Sequence, residues 1–225
     1  MPADENYAVI WDMDGTLVDT AEQHYQAWAR LTRELNIPFT REGFAATFGR
    51  RNPEVIRTLF GKHYTEKEIA DIGERKERLY RAAASQGVEL LPGVGSLLRG
   101  LRSAGIKQGV GSSAPRDNLT LIVKLTETAH FFDCIVAMED TQRGKPDPQV
   151  FLLAAEKLGI SPARCLVMED AVAGVQAAKA GGMKCIAVSF AGHHSPEALA
   201  QAGADRVVKT LDEVAVENLE DLFRR

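Results

Sequence analysis

An apolar run near the start of the chain, residues 7–11, changes abruptly into Asp-Met-Asp-Gly-Thr at residues 12–16. Such a run is typical of a parallel strand that is covered on both faces. Asp12 and Asp14 would then lie at the carboxyl end of the strand, where open α/β sheets bind their ligands. Two neighbouring acids repel each other unless a cation lies close, and hard divalent cations prefer oxygen ligands. Since Gly15 permits a tight bend directly after them, the stretch predicts a ligand and metal site at the sheet edge.

The second part of the chain alternates between strand and helix patterns. The spacing predicts strands over residues 106–111, 134–138, 164–168, 184–188 and 205–208, and helices over 94–104, 116–126, 148–158 and 171–180, with a short helix at the end. Short connections between alternating elements imply right-handed crossovers and a parallel sheet. The predicted fold class is therefore α/β, with a Rossmann-like parallel-sheet core.

Between the first strand and this alternating part lies a segment with helical patterns only. Thr20 is a good N-cap with Gln23 three residues later, and a charged helix is predicted over residues 65–85. We expect a core domain of residues 1–19 and 90–225, interrupted by an inserted all-α cap domain of residues 20–89. An insert that leaves and returns at nearby points is a candidate lid, with hinges near residues 19–20 and 87–93.

Polar residues follow three further predicted strands. Ser112 and Ser113 follow the first, and Ser113 has the alternative of capping the next helix. Lys145 lies in a loop between Gly144 and Pro146, a rigid setting that suits a charge clamp on Asp12. The third strand ends in Glu169-Asp170, two acids that are costly to bury unless paired or bound to metal.

Composition excludes several classes of protein. The chain has 225 residues, 45% of them hydrophobic, which suffices for a substantial core, and its formal net charge of −4 gives no support for a nucleic-acid surface. No apolar stretch approaches the roughly 20 residues needed to span a bilayer, and the N-terminus lacks signal-peptide regions. Three cysteines, Cys134, Cys165 and Cys185, without a targeting signal indicate reduced thiols and a cytoplasmic location.

The four motifs, in this order, resemble those of the haloacid dehalogenase superfamily of phosphotransferases. The resemblance implies that Asp12 is the nucleophile that forms an aspartyl-phosphate and that Asp14 is the general acid and base. Lys145 is implied to neutralise charge and Ser112 to bind a phosphoryl oxygen, with Ser113, Gly15 and Thr16 beside it. The implied cofactor is Mg²⁺, held by Asp12, the Asp14 carbonyl, Asp170 and Glu169, the last directly or through water.

The place of the insert resembles the cap of phosphoglycolate phosphatases and β-phosphoglucomutases. Mutases of this type place an Arg and a Lys in the cap for the distal phosphate, and alignment puts Asn52 and Ala82 at those positions. The prediction is therefore a phosphatase of a small phosphorylated metabolite such as a sugar phosphate, with the mutase as its alternative. The candidate substrate contacts in the cap are His24, Arg50, Arg51 and Asn52, each of which has the alternative of a plain packing or surface role.

Three other classes stay open at the level of sequence. A dehalogenase also uses an aspartate nucleophile but does not need Asp14 and the metal acids. A response-regulator receiver shares the acid pair and lysine but is about half this length, and a non-catalytic phospho-ligand binding module would be expected to lose a motif. The expected partner is a small phosphorylated substrate, with no nucleic acid, no membrane, and a monomer or weak homodimer.

Overall fold

The computed structural model describes residues 7–61 and 63–224. Six parallel strands form one sheet in the order β3-β2-β1-β4-β5-β6. Their bounds are β1 Ala8–Trp11, β2 Lys107–Gly111, β3 Cys134–Val136, β4 Cys165–Glu169, β5 Lys184–Val188 and β6 Arg206–Val208. The strand that carries the first motif thus lies in the middle, and the predicted Rossmann-like α/β class is confirmed.

Helices cover both faces of this sheet. α5 (Val94–Ser103) and α6 (Arg116–Leu125) pack on one face, while α7 (Gln149–Leu158), α8 (Val172–Ala180) and α9 (Pro196–Gln201) pack on the other. All four residues of β1 are fully buried, because both faces of that strand are covered. This explains why β1 reads as a continuous apolar run rather than as an alternating one.

The segment between β1 and α5 contains four helices and, within its described residues, no strand. These are α1 (Ala21–Glu34), α2 (Arg41–Ala45), α3 (Asn52–Leu59) and α4 (Glu66–Ala84). They enclose an apolar cluster of their own, which includes Trp28, Leu31, Ile56 and Ile72. We call residues 20–89 the cap and propose that they form a domain inserted into the core.

Some elements differ from the sequence-based expectations. β3 ends at Val136 because the next residues turn into a short 3₁₀ segment, and the C-terminal residues form short 3₁₀ turns rather than a helix. α9 was not predicted, although Ser195 caps it and Pro196 occupies its first turn. The three cysteines are free, and no helix in the described residues has the length and apolarity to cross a membrane.

Candidate active site

The carboxyl ends of the central strands bring the motifs together. Beyond the end of β1, the Asp12 amide donates to the Met168 carbonyl of β4 at 3.0 Å, so this residue still follows the parallel pairing. The Ser112 amide, just after β2, donates in the same way to Val136 of β3 at 3.1 Å. Because parallel strands end at one edge, residues far apart in sequence meet there.

Lys145 lies between two of these acids. Its Nζ is 2.6 Å from Asp12 Oδ1 and 2.6 Å from Glu169 Oε1, and all three side chains are buried. The second oxygen of Glu169 accepts the backbone amides of Asp170 and Ala171. Both carboxylate oxygens of Glu169 therefore already have donors.

Asp170 differs from Glu169 in this respect. Its Oδ1 accepts a 3.4 Å hydrogen bond from Thr16, but its buried Oδ2 has no partner. That oxygen lies against Gly15, where φ is +90° and an added Cβ would come within 2.1 Å of it. Asp12, Glu169 and Asp170 each bring one carboxylate oxygen into a group within 4.8 Å. An unpartnered buried oxygen among three acids fits a divalent cation, which prefers such ligands.

The pKa of Asp12 reflects the crowding of acids. Burial raises it to about 7, and the negative charge of Glu169 adds to the effect, against the opposing attraction of Lys145. Even with Lys145 in contact, the cluster carries more acid than base. Adding a cation would relieve that imbalance.

The surroundings of Asp14 differ from those of Asp12. Its Oδ1 accepts from the hydroxyl of Thr20 and from Tyr80 at 3.4 Å, and it lies 3.4 Å from Nε2 of His24. Burial by itself raises the pKa of Asp14, but the attraction of His24 and the hydrogen bonds from His24 and Thr20 outweigh it and lower the pKa. The side chain of Thr20, at the predicted N-cap position, therefore contacts Asp14 and makes no capping bond with α1.

A cavity between the core and the cap brings the predicted residues together. Of the residues predicted from sequence, it is lined by Asp12, Asp14, His24, Arg50, Asn52, Ser112 and Ser113. α6 has Pro115 at its N-cap, so the alternative that Ser113 caps this helix is wrong. Gly15 and Thr16 lie instead against Asp170, as described above.

Arg51, a predicted substrate contact, is not among the residues that line this cavity and contacts a core loop instead. Its guanidinium donates to the carbonyls of Thr141, at 3.0 Å, and Arg143, at 2.7 Å, and to the Thr141 hydroxyl. That loop leads directly into Lys145. Arg51 thus connects the cap to the segment that carries the core lysine.

Two charged residues on the cap side of the cavity were not predicted from the sequence. Lys76 and Glu77 of α4 line the cavity, whereas Ala82, the residue aligned with the mutase lysine, lies on a different surface. Lys76 and Glu77 fall on the buried face of α4 together with Ile72 and Tyr80. Charged residues in register with an apolar helix face were the available signal.

Comparison with known proteins agrees with this geometry. A family profile described as "Haloacid dehalogenase-like hydrolase" matches residues 9–188. The chain is 36% identical over 221 residues to a "Beta-phosphoglucomutase" of Bacillus subtilis, covering 95% of this chain and 94% of the relative. It is 31% identical over 186 residues to a "Fructose-1-phosphate phosphatase" of Escherichia coli, covering 82% and 97%.

A solved structure has the same fold. A crystal structure of β-phosphoglucomutase from Clostridium difficile superposes with a TM-score of 0.88 at 26% identity, covering 97% of each chain. The family and these relatives make the chain an enzyme that acts on phosphoesters. The chain belongs to the haloacid dehalogenase-like hydrolase family.

Proposed function

We propose that the protein is a phosphatase of small phosphorylated metabolites, sugar phosphates among them, and that it acts through an aspartyl-phosphate on Asp12. One observation carries the proposal: Asp12 and Asp14 face the same cavity while Lys145 lies 2.6 Å from Asp12. A carboxylate nucleophile next to a second acid and a fixed cation is what phosphoryl transfer through an enzyme intermediate needs.

The proposed reaction has two transfers. An Asp12 oxygen forms a bond to phosphorus as the substrate's ester P–O bond breaks. Asp14, whose pKa is lowered in the free site, takes up a proton from solvent before this transfer and passes it to the leaving alcohol oxygen. A water then attacks the phosphorus, Asp14 takes the water's proton, and the P–O bond to Asp12 breaks to release inorganic phosphate. Lys145 reduces the repulsion between the Asp12 carboxylate and the phosphoryl oxygens, and Ser112, which lines the cavity, is the expected phosphoryl contact.

We propose Mg²⁺ as the metal, held by Asp12, Asp170 and the Asp14 carbonyl with Glu169 beside them. The unpartnered Oδ2 of Asp170 supports this assignment, because a buried carboxylate oxygen without a donor is otherwise costly. When bound, the ion supplies positive charge that offsets the phosphoryl oxygens. Lys145 and the backbone amides at Glu169 hold the surrounding carboxylates in place.

The cap is proposed to close over the bound substrate and to exclude bulk water. The contacts of Arg51 with Thr141 and Arg143 support a closed arrangement. His24, Arg50 and Asn52 line the cavity from the cap side and are the proposed substrate contacts. The substrate role predicted for Arg51 is replaced here by a role in closure.

A phosphomutase is the second candidate. It is favoured by the 36% identity to a β-phosphoglucomutase over almost the whole chain, and by Lys76, a cap lysine on the cavity. A mutase passes the phosphoryl group to a second sugar hydroxyl instead of to water. The two functions therefore differ in their product.

The test is phosphate release from a panel of phosphorylated metabolites with and without Mg²⁺, using Asp12→Asn as the control. The panel includes β-glucose 1-phosphate with a trace of glucose 1,6-bisphosphate, assayed for glucose 6-phosphate as well as for phosphate. We expect Mg²⁺-dependent phosphate release that Asp12→Asn abolishes. Isomerised sugar phosphate without net release would establish the mutase instead.

A further inference from the structure

The cap side of the cavity carries a buried ion pair. Lys76 and Glu77 each have a side chain only 3% exposed, and Lys76 Nζ is 2.8 Å from Glu77 Oε1. Both residues line the cavity together with Asn52. We call Asn52, Lys76 and Glu77 the cap wall.

Every hydrogen-bonding atom of the Glu77 carboxylate has a partner. Besides Lys76, Oε1 accepts from Asn52 Nδ2 at 2.7 Å, and Oε2 accepts from Asn118 Nδ2 of the core at 2.6 Å. Although burial raises the pKa of Glu77, the attraction of Lys76 and His24 and the bonds from Asn118 and Lys76 lower it to about 2. Glu77 is therefore a carboxylate at neutral pH and balances the charge of Lys76.

The ammonium group of Lys76 also contacts a histidine. Its Nζ lies 2.6 Å from His24 Nδ1. The Lys76 ammonium, which has donors only, faces this ring nitrogen directly. Two of the three donors of Lys76 are thus directed at His24 and Glu77.

A second cation also lines the cavity from the cap. Arg50 is exposed, unlike Lys76, and lies near Glu54, whose pKa burial raises despite the attraction of Arg51 and Arg50. A solvent-exposed cation attracts a phosphate weakly, because water screens it. The cap wall itself, with one cation and one carboxylate in contact, is neutral as a whole.

A phosphate group at the cap wall would meet the Glu77 carboxylate next to Lys76. Like charges brought together in a buried site are strongly unfavourable, and this is a common way to exclude a ligand. The same wall offers amide and carboxylate groups that suit hydroxyls. A neutral polyol is therefore compatible with the wall and a second phosphate is not.

We propose that Glu77 determines specificity by cancelling the charge of Lys76, so that the enzyme accepts monophosphate esters whose remaining part is uncharged and hydroxyl-bearing and rejects bisphosphates. The inference rests on the proposed phosphatase function. It also gives a reason for water as the phosphoryl acceptor, since a mutase must hold phosphate at both ends of its substrate. Glu77 is assigned this role through its charge rather than through contact with phosphorus.

The test measures binding rather than turnover, so that its outcome is independent of phosphate release. In an Asp12→Asn background with Mg²⁺, calorimetry gives Kd for glucose 1,6-bisphosphate and for β-glucose 1-phosphate. We expect the monophosphate to bind at least about tenfold more tightly than the bisphosphate. Glu77→Gln should shift the ratio of the two Kd values by about tenfold in favour of the bisphosphate. An unchanged ratio in Glu77→Gln overturns the proposal, even where phosphatase activity is established.

Three further variants separate charge from structure. The double variant Lys76→Gln/Glu77→Gln restores a neutral wall, so its ratio of Kd values should return to that of the parent. A Kd ratio like that of Glu77→Gln alone contradicts the proposal. Asn118→Ala removes the bond between Glu77 and the core without changing charge and should leave the ratio unchanged. Glu74→Gln removes an exposed carboxylate from the same helix, and an equal shift there would overturn the assignment to Glu77.

Discussion

The core and the cap each bury a lysine against carboxylates, but the two groups are balanced differently. Lys145 contacts Asp12 and Glu169, with Asp170 close by, so three acids share one base. Lys76 contacts a single acid, Glu77. The core group is therefore short of positive charge, whereas the cap pair is neutral.

The consequences appear in the acids themselves. In the core, the pKa of Asp12 is raised to about 7 by burial and by Glu169, and Asp170 Oδ2 has no partner. In the cap, the pKa of Glu77 is lowered to about 2, and both of its oxygens accept hydrogen bonds. An incomplete cluster suits a site that takes up a cation and a phosphoryl group. A fully hydrogen-bonded pair such as Lys76 and Glu77 suits a wall that selects the substrate.

The largest effect is expected when the core lysine is removed. Lys145→Met leaves Asp12 without its fixed cation, so turnover should fall by about 10²–10³-fold, as for other losses of a single electrostatic contact to the reacting groups. The measurement is kcat on the best substrate of the panel. Lys124→Met, at an exposed position on α6, is the matched control and should keep full activity. Activity near that of the parent in Lys145→Met would remove the lysine from the mechanism.

Breaking the cap pair should cost stability rather than chemistry. Glu77→Gln leaves the Lys76 charge buried without its carboxylate, and we expect about 3 kcal/mol lower free energy of unfolding at pH 7. Chemical denaturation at a series of pH values measures it.

The pH dependence of that difference has a definite sign. Glu77 has an ordinary pKa of 4.5 and a folded value of about 2, so the unfolded chain binds the proton more readily. The stabilising contribution is complete above pH 4.5 and is lost as the pH falls from about 4.5 to 2. The parent and Glu77→Gln should converge over this window. A constant difference would argue against a charged Glu77.

The core cluster should gain stability from a metal, and the cap pair should not. At a Mg²⁺ concentration a hundredfold above Kd, binding adds about 2.7 kcal/mol, or roughly 5–10 °C in Tm for a chain of this size. Asp170→Asn should largely abolish this shift, while Asp71→Asn, on the exposed side of α4, should keep it. Equal shifts in both variants would place the metal elsewhere.

The smallest effect is expected at the surface of the cap. The Glu74 side chain is 58% exposed and pairs with Arg81 at 3.1 Å. Exposed pairs contribute little because of solvent screening, so Glu74→Gln should change the free energy of unfolding by less than about 0.5 kcal/mol. A loss as large as that of Glu77→Gln would show that burial is not what separates the two acids.

Patterns local in sequence were sufficient for the core of the fold. The apolar run before Asp12, the alternation of strands and helices, and the polar residues after β2 and β4 are all short-range signals, and they predicted the sheet and the group of acids around it. They worked because parallel strands end at one edge, so that the chain order of motifs translates directly into proximity. α9 was missed because it is only six residues long.

The sequence by itself therefore determined the fold class, the family, and which core residues meet: Asp12, Asp14, Lys145, Glu169 and Asp170. Only the tertiary structure decided the directions of side chains that lie between core and cap. Thr20 bonds Asp14 instead of capping its helix, Arg51 bonds a core loop, and Lys76 and Glu77 line the cavity. The physical reason is that a helical pattern defines a buried face but not what that face packs against. That is set by long-range contacts such as the one between Glu77 and Asn118.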